Sequence, residues 1–460
     1  MEREFLHPYL PTSDPKLVEL MLRELGLRSL EQLFQDIPER VRLRRPLALP
    51  GPLSELEVRR RVEDRLKGTR AFGRRLFLGA GCWPHYVPAV VEQIIARGEF
   101  LTSYTPYQAE VSQGLLQALF EYQSLICELT GMEYANSSLY DWASALGEAA
   151  RMAYRHTRRR KALVPRYMGP ERRRVLELYA EPLGMSVHEY GWRADGAADL
   201  EDLASKLDAD TAFVYLESPS FLGFIARNPR EVGELAHARG ALYVMGFEPL
   251  SLALLKPPGE LGADIAVGEG QPLGLGMYYG GALLGLMACR GQELLRQMPG
   301  RIVGATLDAG GRRAFTLVLQ AREQHIRRER ATSNITTNQA LYAIAAAAYL
   351  ALLGREGLRR LAELILARTS YALGRMAGIE GLRAPLFRAP HFKDFAVGYE
   401  RGSAARVRRT LNEAGFEAGL PLAHLYPELG EAGLFCVTEV HEVQDIDELC
   451  KALEGALRHV

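Results

Sequence analysis

Cysteine and lysine are both scarce in this chain. Its 460 residues include five cysteines, and no two of them have the CxxC spacing of a zinc site or a redox motif. The scattered cysteines argue against a disulfide framework and fit the reduced thiols of a cytoplasmic protein. Lysine is rare enough that any chemistry requiring it can be checked by counting. The seven lysines are Lys16, Lys67, Lys161, Lys206, Lys256, Lys393 and Lys451.

Neither sign of charge predominates, and long hydrophobic runs are missing. The 56 basic and 56 acidic residues balance, which removes the broad attraction that nucleic acid or an anionic membrane would need. The longest apolar run, 340–353, has about 14 residues against the roughly 20 that span a bilayer, and it predicts a buried core helix. The amino terminus, MEREFLHPYL, lacks the order of a signal peptide. We therefore expect a cytoplasmic protein that binds neither nucleic acid nor membrane.

Short apolar runs alternate with helical patterns over much of the chain, which is typical of βαβ units and a doubly wound, mostly parallel sheet. Strands are predicted at 162–164, 186–190, 211–216, 241–245 and 264–267. Helices are predicted at 109–130, 141–157, 170–180, 199–207 and 230–239. The length and the 48% hydrophobic content allow several cores. The predicted domains are an amino-terminal helical arm at 1–70, a large α/β domain at 71–330 and a small α+β domain at 331–460.

The densest polar stretch is TSYTPYQAEVSQG, residues 102–114. It places hydroxyls, two tyrosines, an amide and a proline just before a long amphipathic helix, where such groups can face a ligand. Simple capping of the helix is the alternative interpretation. The candidate site residues in this stretch are Thr102, Ser103, Tyr104, Thr105, Pro106, Tyr107, Gln108 and Glu110.

Two further polar stretches are candidates for anion binding. AREQHIRRERATSN, 321–334, crowds charged groups onto one and a half turns of a predicted helix. Its arginines could hold a carboxylate or phosphate, although a surface helix with pairs such as Glu323–Arg327 is equally compatible. ANSSLYDWASALGE, 135–148, lies between a short strand and a helix, where it could bind an anion or only cap the helix. The candidate residues are Arg322, Gln324, His325 and Arg328, with Asn136, Ser137, Ser138 and Asp141.

Four long segments carry a resemblance to one family. They are YTPYQAEVSQG (104–114), ANSSLYDWASALGEA (135–149), LLKPPGELGADIAVGEGQPLG (254–274) and MPGRIVGATLDAGGRRAFTLVLQAREQHIRRERATSN (298–334). They resemble the amino-terminal half of glycine decarboxylase, the P-protein of the glycine cleavage system, and the similarity runs over nearly the whole chain. The length is similar to that of the separate alpha subunit of organisms that divide the P-protein into two chains.

The resemblance implies an aspartate-aminotransferase-like fold, pyridoxal-phosphate (PLP) fold type I, with a large doubly wound domain and a small carboxy-terminal domain. The family decarboxylates glycine on PLP and passes the aminomethyl group to the lipoyl arm of the H-protein. Such a protein supplies a Schiff-base lysine, a carboxylate for the ring nitrogen and a phosphate site.

The lysine that the resemblance requires is missing. It would follow a strand late in the large domain, where this chain reads GEGQPLG (268–274). Glu248 stands where the family leads us to expect Asp, SPS (218–220) replaces Ser-Pro-Asn, and DWAS (141–144) replaces Asp-Glu-Ala-Thr. These departures imply a degenerate cofactor site. Its predicted residues are Asn136, Ser137, Ser138, Asp141, Ser220, Glu248 and Gln271.

Together, the resemblance and the missing lysine predict the alpha subunit of a heteromeric glycine decarboxylase, active only with a beta subunit that holds PLP. An assembly of two alpha and two beta subunits that serves lipoylated H-protein is expected. The loop 102–108 would complete the partner's site, with Tyr104 and Tyr107 at the glycine or lipoyl entrance, Thr105 and Gln108 donating hydrogen bonds, and the turn around His325 supporting the loop. The alternative is a scaffold that stabilises the beta subunit or docks H-protein.

Overall fold

The computed structural model describes residues 7–458, which belong to two compact units, Met1–Ala71 and Phe72–Val460. The first unit contains the helices α1 (Pro15–Glu24) and α2 (Glu55–Leu66), separated by 30 residues with only short 3₁₀ turns. The Asp14 side chain caps α1, and Ser54 with Glu57 forms a capping box at α2. The predicted helical arm is therefore helical mainly near its two ends.

The second unit holds the other helices and, within residues 7–458, all of the strands. Its helices are α3 (Ala89–Ile95), α4 (Gly98–Leu101), α5 (Gln113–Thr130), α6 (Trp142–Thr157), α7 (Pro170–Ala180), α8 (Leu200–Lys206), α9 (Pro229–Ala238), α10 (Gln292–Leu295), α11 (Gln324–Arg327), α12 (Ala340–Ala377), α13 (Ala404–Glu413) and α14 (Val443–Arg458). Its strands are β1 (Leu76–Phe77), β2 (Tyr134–Ala135), β3 (Lys161–Pro165), β4 (Ser186–Tyr190), β5 (Thr211–Ser218), β6 (Leu242–Phe247), β7 (Ile265–Glu269), β8 (Gly285–Cys289), β9 (Ile302–Leu307), β10 (Arg313–Val318), β11 (Leu382–Arg383), β12 (Asp394–Tyr399), β13 (Glu417–Ala418), β14 (Leu420–Pro421) and β15 (Ala432–Cys436).

A seven-stranded sheet forms the centre of this unit, with the strand order β2-β8-β7-β6-β5-β3-β4. The strands β3 to β7 are parallel to one another, while β8 is antiparallel to β7 and to β2. Each of the five predicted strands is one of these parallel strands. The prediction of an α/β, mostly parallel, doubly wound fold is confirmed.

Helices cover both faces of the sheet, because alternate residues of each central strand enter different cores. Val214 and Leu216 of β5 pack into the core that contains α5, α9 and α12. Phe213 and Tyr215 pack into the core that contains α6 and α7. Every residue of β5, β6 and β7 is buried, as expected for strands that have no solvent-facing side.

The helix α12 contains the predicted core helix at 340–353. Gly354 has φ 57° and ψ −172°, so the regular helix is interrupted directly after Leu353. By length and composition alone α12 could cross a membrane, a test that core helices of soluble proteins also pass. Six residues before the interruption are buried and belong to the α5-side core or its edge: Ala343, Ile344, Ala345, Ala346, Tyr349 and Leu350.

The segment 321–334 is not the continuous helix that its charges suggested. The one-turn helix α11 lies between two 3₁₀ turns, and Arg328 has a left-handed φ of 53°. Tertiary hydrogen bonds override the helical pattern, since Arg322 donates to the carbonyls of Gly300 at 3.1 Å and Leu319 at 3.0 Å. The Glu323 carboxylate lies 3.8 Å from His325, and no ion pair joins it to Arg327 among the described contacts.

A second sheet, β11-β12-β15-β14, is antiparallel and packs with α13, α14 and the end of α12. The short strand β1 pairs in parallel with β13. All of these elements except β1 lie in the region predicted as the small α+β domain. Its boundary near residue 330 stays a prediction.

Candidate functional site

The carboxyl ends of β5, β6 and β7 lie side by side, which is where open α/β sheets bind their ligands. Ser218 ends β5, Glu248 directly follows β6, and Glu269 ends β7. The amino terminus of α6 also reaches this place, because the Trp142 backbone N–H donates to Glu269 Oε2 at 3.2 Å. Because β5, β6 and β7 are neighbouring parallel strands, Ser218, Glu248 and Glu269 lie at one edge of the sheet.

A lysine reaches this edge from a distant part of the chain. Lys393 precedes β12, and its Nζ lies 2.8 Å from Glu248 Oε1 and 3.0 Å from His85 Nε2. The ammonium also lies 3.8 Å from the centre of the Trp83 ring, within cation–π distance. The Lys393 and Glu248 side chains are only 2% and 5% exposed. The position beside the Glu248 carboxylate, which the resemblance assigns to the cofactor's ring nitrogen, is taken by this ammonium.

The ion pair continues into a chain of hydrogen-bonded side chains. His85 Nδ1 lies 2.8 Å from Glu439 Oε2, and the Tyr86 backbone N–H donates to Glu439 Oε1 at 2.7 Å. Burial raises the pKa of Glu439, but the neighbouring His85 and these hydrogen bonds lower it to about 2. Glu439 is therefore ionised, and hydrogen bonds link Glu248, Lys393, His85 and Glu439 in that order.

Glu269 occupies the anion position at the amino terminus of α6. Its carboxyl group accepts hydrogen bonds from the backbone N–H groups of Trp142, Gln271 at 3.0 Å and Leu284 at 2.8 Å. Burial raises the pKa of Glu269 to about 8, although these three bonds oppose the shift. The Glu269 carboxyl group thus occupies the Trp142 backbone N–H at the amino terminus of α6, which is a group that a bound phosphate would need.

A second buried ion pair lies near Glu269. Arg172 Nε lies 2.9 Å from Glu217 Oε2, and the Tyr215 hydroxyl donates to the same oxygen at 3.0 Å. The guanidinium group lies 4.1 Å from the centre of the Trp142 ring. Both side chains are buried, at 6% and 0% exposure, and Arg172 forms part of the wall of the cavity that Glu269 also lines.

Of the predicted degenerate-site residues, Asp141, Ser220 and Glu248 line the cavities at this edge. Gln271 is buried; its side-chain oxygen accepts from the Trp83 backbone N–H, and its side-chain nitrogen donates to the Trp83 carbonyl. The remaining three do not face the cavities, because their side chains serve backbone groups. Asn136 donates to the Pro299 carbonyl, Ser137 donates to the Arg301 carbonyl, and Ser138 accepts from the Gln339 N–H.

The three polar stretches converge on Arg301, which sequence reasoning did not single out. Its backbone carbonyl accepts from Ser137, and its guanidinium donates to the Tyr107 hydroxyl at 3.0 Å. Arg322 bonds to the carbonyl of the preceding residue, Gly300. His325 approaches the edge of the Tyr107 ring at 6.4 Å between centres. Arg301 is 2% exposed, so burial and charge together mark it as the centre of this arrangement.

Tyr104, Tyr107 and His325 form an exposed patch that we name the tyrosine face. Tyr104 is 72% exposed and its hydroxyl lies 2.9 Å from Thr337 Oγ1, while Tyr107 is 56% exposed. Gln108, Glu110, Gln324 and Arg328 are also exposed. The two tyrosines are thus fixed by hydrogen bonds to Arg301 and Thr337, while their rings remain exposed.

Other residues of the loop have internal roles instead. The hydroxyls of Thr102 and Ser103 donate at 2.6 Å to the carbonyls of Gly98 and Glu99. Pro106 is buried. Thr105 Oγ1 is also buried and lacks a hydrogen-bond partner among the described residues. The roles of Thr102, Ser103 and Thr105 in the partner's site stay predictions.

Comparison with known proteins gives near-complete matches. The family profile described as Glycine cleavage system P-protein matches residues 7–453. The chain belongs to this family. A relative from Staphylothermus marinus, named Probable glycine dehydrogenase (decarboxylating) subunit 1, is 50% identical over 99% of both chains. A crystal structure of glycine decarboxylase (P-protein), in inhibitor-bound form, has a TM-score of 0.88 and 42% identity, covering 98% of this chain and all of that one.

The P-protein resemblance seen in the sequence is therefore confirmed, and so is the PLP fold type I architecture. A sphingosine-1-phosphate lyase from Burkholderia pseudomallei has the same fold, with a TM-score of 0.65 at 16% identity, and covers 91% of this chain and 93% of that one.

The residues of this P-protein family member do not fit PLP. The cavity lined by Ser220, Glu248 and Lys393 measures about 20 Å³, which is room for about one water molecule. A neighbouring cavity of about 330 Å³ is lined by Asp141, Arg172 and Glu269. The segment after β7 has no lysine, Glu248 is paired with Lys393, and Glu269 occupies the anion position.

Proposed function

We propose that this chain is the alpha subunit, subunit 1, of a two-chain glycine decarboxylase and acts only together with a beta subunit. Similarity over 99% of both chains, at 50% identity, to a protein named Probable glycine dehydrogenase (decarboxylating) subunit 1 supports the assignment. The observation that carries it is the occupied cofactor place, where Lys393 pairs with Glu248 and the segment 268–274 at the end of β7 contains no lysine. A chain with this interior needs a second chain to supply the cofactor chemistry.

The proposed complex contains two alpha and two beta subunits, in keeping with the preference of oligomers for closed symmetry. PLP is bound by the beta subunit and supplies the electron sink for decarboxylation of glycine. Lipoylated H-protein receives the aminomethyl group. The scarcity and scatter of cysteine support a cytoplasmic location.

The contribution of this chain to the partner's site is the tyrosine face. The Tyr107 hydroxyl accepts a hydrogen bond from Arg301, so its own proton is free to be donated outward. Its orientation is fixed by the buried guanidinium and by the edge contact with His325. An exposed but immobilised phenol is suited to position a polar substrate at an interface.

The test is glycine–bicarbonate exchange by the assembled complex. We expect Tyr107→Phe, Tyr104→Phe and His325→Ala each to lower exchange while the complex still forms. Tyr86→Phe is the matched control, since Tyr86 is also an exposed phenol, at 65%, but lies outside the tyrosine face. Unchanged exchange in all three variants would refute the assignment.

The same complex separates this proposal from a pure scaffold. A scaffold predicts that the tyrosine-face variants alter assembly or H-protein affinity but leave exchange per assembled complex unchanged. A free-standing enzyme predicts that the isolated chain shows the visible absorbance band of a lysine–cofactor Schiff base. We expect that band only after the beta subunit is added.

A further inference from the structure

A third cavity lies in the second unit, between the segment 225–231, which leads into α9, and the segment 252–261. We name it the α9 cavity. Its volume of about 310 Å³ is at the lower end of the roughly 300–1,000 Å³ of small-molecule sites. It shares no lining residue with the two cavities of the degenerate cofactor site. One wall contains part of LLKPPGELG (254–262), a motif to which the proposed function gives no role.

The floor of the α9 cavity is apolar and fixed. Met245 of β6 lines it together with Leu252 and Leu261. These three side chains are 2%, 8% and 9% exposed, and they belong to the core that contains α5, α9 and α12. A floor made of packed core residues cannot turn polar groups towards a ligand, so it favours contact with hydrocarbon.

The rim of the α9 cavity is positively charged. Arg227, Arg230 and Lys256 line it and are exposed, and Glu231 is the one carboxylate among its lining residues. Three cations against one carboxylate leave an excess of two positive charges, in a chain whose charges balance overall. Arg230 Nη2 donates to the Glu260 carbonyl at 2.8 Å, which joins the first turn of α9 to the opposite wall.

Lys256 is available to an external anion. Lys161, Lys206 and Lys393 each pair with a carboxylate of the same unit at 2.7–2.8 Å. Among the contacts described for residues 7–458, the Lys256 ammonium has neither a hydrogen bond nor an ion pair. A cation beside an apolar floor can bind an anion while part of the surrounding water is displaced, which strengthens the charge-assisted hydrogen bond.

We propose that the α9 cavity binds a small amphipathic carboxylate, whose hydrocarbon chain lies on the apolar floor and whose carboxylate bonds to Lys256 and Arg227. The charge excess favours an anion over a cation, and the floor favours a ligand with a hydrocarbon chain over an inorganic ion. A carboxylate is favoured over a phosphate monoester because it places less charge against an apolar wall. The inference goes beyond the proposed function, since neither the cofactor nor the beta subunit enters it.

The test is isothermal titration calorimetry of the full-length chain with octanoate. We expect a dissociation constant on the order of 0.1–1 mM, as suits a ligand of about ten non-hydrogen atoms. Octylamine carries the same chain with the opposite charge, and acetate carries the carboxylate without the chain. Each of these two should bind at least about tenfold more weakly than octanoate.

Variants separate the rim from the floor. Lys256→Glu should raise the dissociation constant for octanoate by more than about tenfold. Lys451→Glu is the matched control, because it makes the same charge change at an exposed lysine of α14 outside the cavity, and it should alter binding less than about twofold. Leu255→Asn places an amide on the half-buried part of the lining and should weaken binding by about three- to tenfold. Circular dichroism checks that each variant is folded.

Hydrogen exchange of the wild-type chain locates the ligand. Octanoate should slow amide exchange in 225–232 and 252–261 and leave the other described segments unchanged. Equal affinity of Lys256→Glu and wild type would overturn the proposal, and so would octylamine that binds as tightly as octanoate. Tighter binding of octyl phosphate would overturn the choice of a carboxylate. Absence of binding up to about 10 mM octanoate would overturn the site itself.

Discussion

Replacing Lys393 by methionine tests whether the filled cofactor place stabilises this protein. The substitution keeps most of the side-chain volume but leaves the Glu248 carboxylate, 5% exposed, without the ammonium that lies 2.8 Å away. Removing one member of a buried ion pair costs about 3–5 kcal/mol, because the other charge stays buried and uncompensated. We therefore expect Lys393→Met to lower the free energy of unfolding by about 3–5 kcal/mol.

The double variant separates the cost of the unpaired charge from the loss of packing. In Lys393→Met/Glu248→Gln neither member of this ion pair carries a charge, and the Gln oxygen can still accept the hydrogen bond that Ser251 N–H makes at 2.7 Å. Its free energy of unfolding should lie within about 2 kcal/mol of the wild type. Lys67→Met is the control, because this lysine is 76% exposed in its ion pair with Asp64. It should cost less than about 1 kcal/mol.

Urea unfolding followed by tryptophan fluorescence suits this test, because Trp83 and Trp142 both line the site. The unfolding midpoint and slope give the free energy for each variant. A loss below about 1 kcal/mol for Lys393→Met, or a double variant as unstable as the single one, would refute the reasoning.

Two further predictions concern the same edge of the sheet. The pKa of Glu269 is raised to about 8 by burial. Its contribution to the free energy of unfolding is therefore full below the unfolded-state pKa near 4.5 and is lost as the pH rises towards 8. Denaturant titrations from about pH 5 to 9 should show this decline in stability, and Glu269→Gln should make the pH dependence flatter. Gly223→Ala should destabilise by more than about 3 kcal/mol in thermal melts, because Gly223 has a φ of 87° and an added Cβ would lie 1.6 Å from the Asp394 carbonyl. Gly51→Ala, with nothing within 4 Å, should leave the melting temperature nearly unchanged.

The parallel part of the sheet could be predicted because each βαβ unit is formed by residues that are close in sequence. The apolar runs at 186–190 and 211–216 match β4 and the start of β5, and the helices between them show regular spacing. Strands β8 to β10 were missed because they follow or lie within loop-like, glycine-containing sequence and pair antiparallel. Such pairing has no local signature as clear as a βαβ unit.

The site was only partly predictable, because its decisive contacts join distant residues. Glu248 and Gln271 could be placed from strand order, but Lys393 approaches Glu248 across 145 residues. No spacing rule relates two such positions. The segment at 321–334 failed for a similar reason, since Arg322 bonds to Gly300 across a turn that charge patterning does not reveal.

A cofactor place filled by Lys393 and Glu269 also removes any dependence of folding on ligand supply. Proteins that bind a cofactor in the native state gain stability from it by mass action and lose that stability when the cofactor is scarce. This chain carries the corresponding cation and carboxyl group covalently, so their local concentration never varies. When the cofactor is scarce, the stability of this chain would still be set by its own sequence.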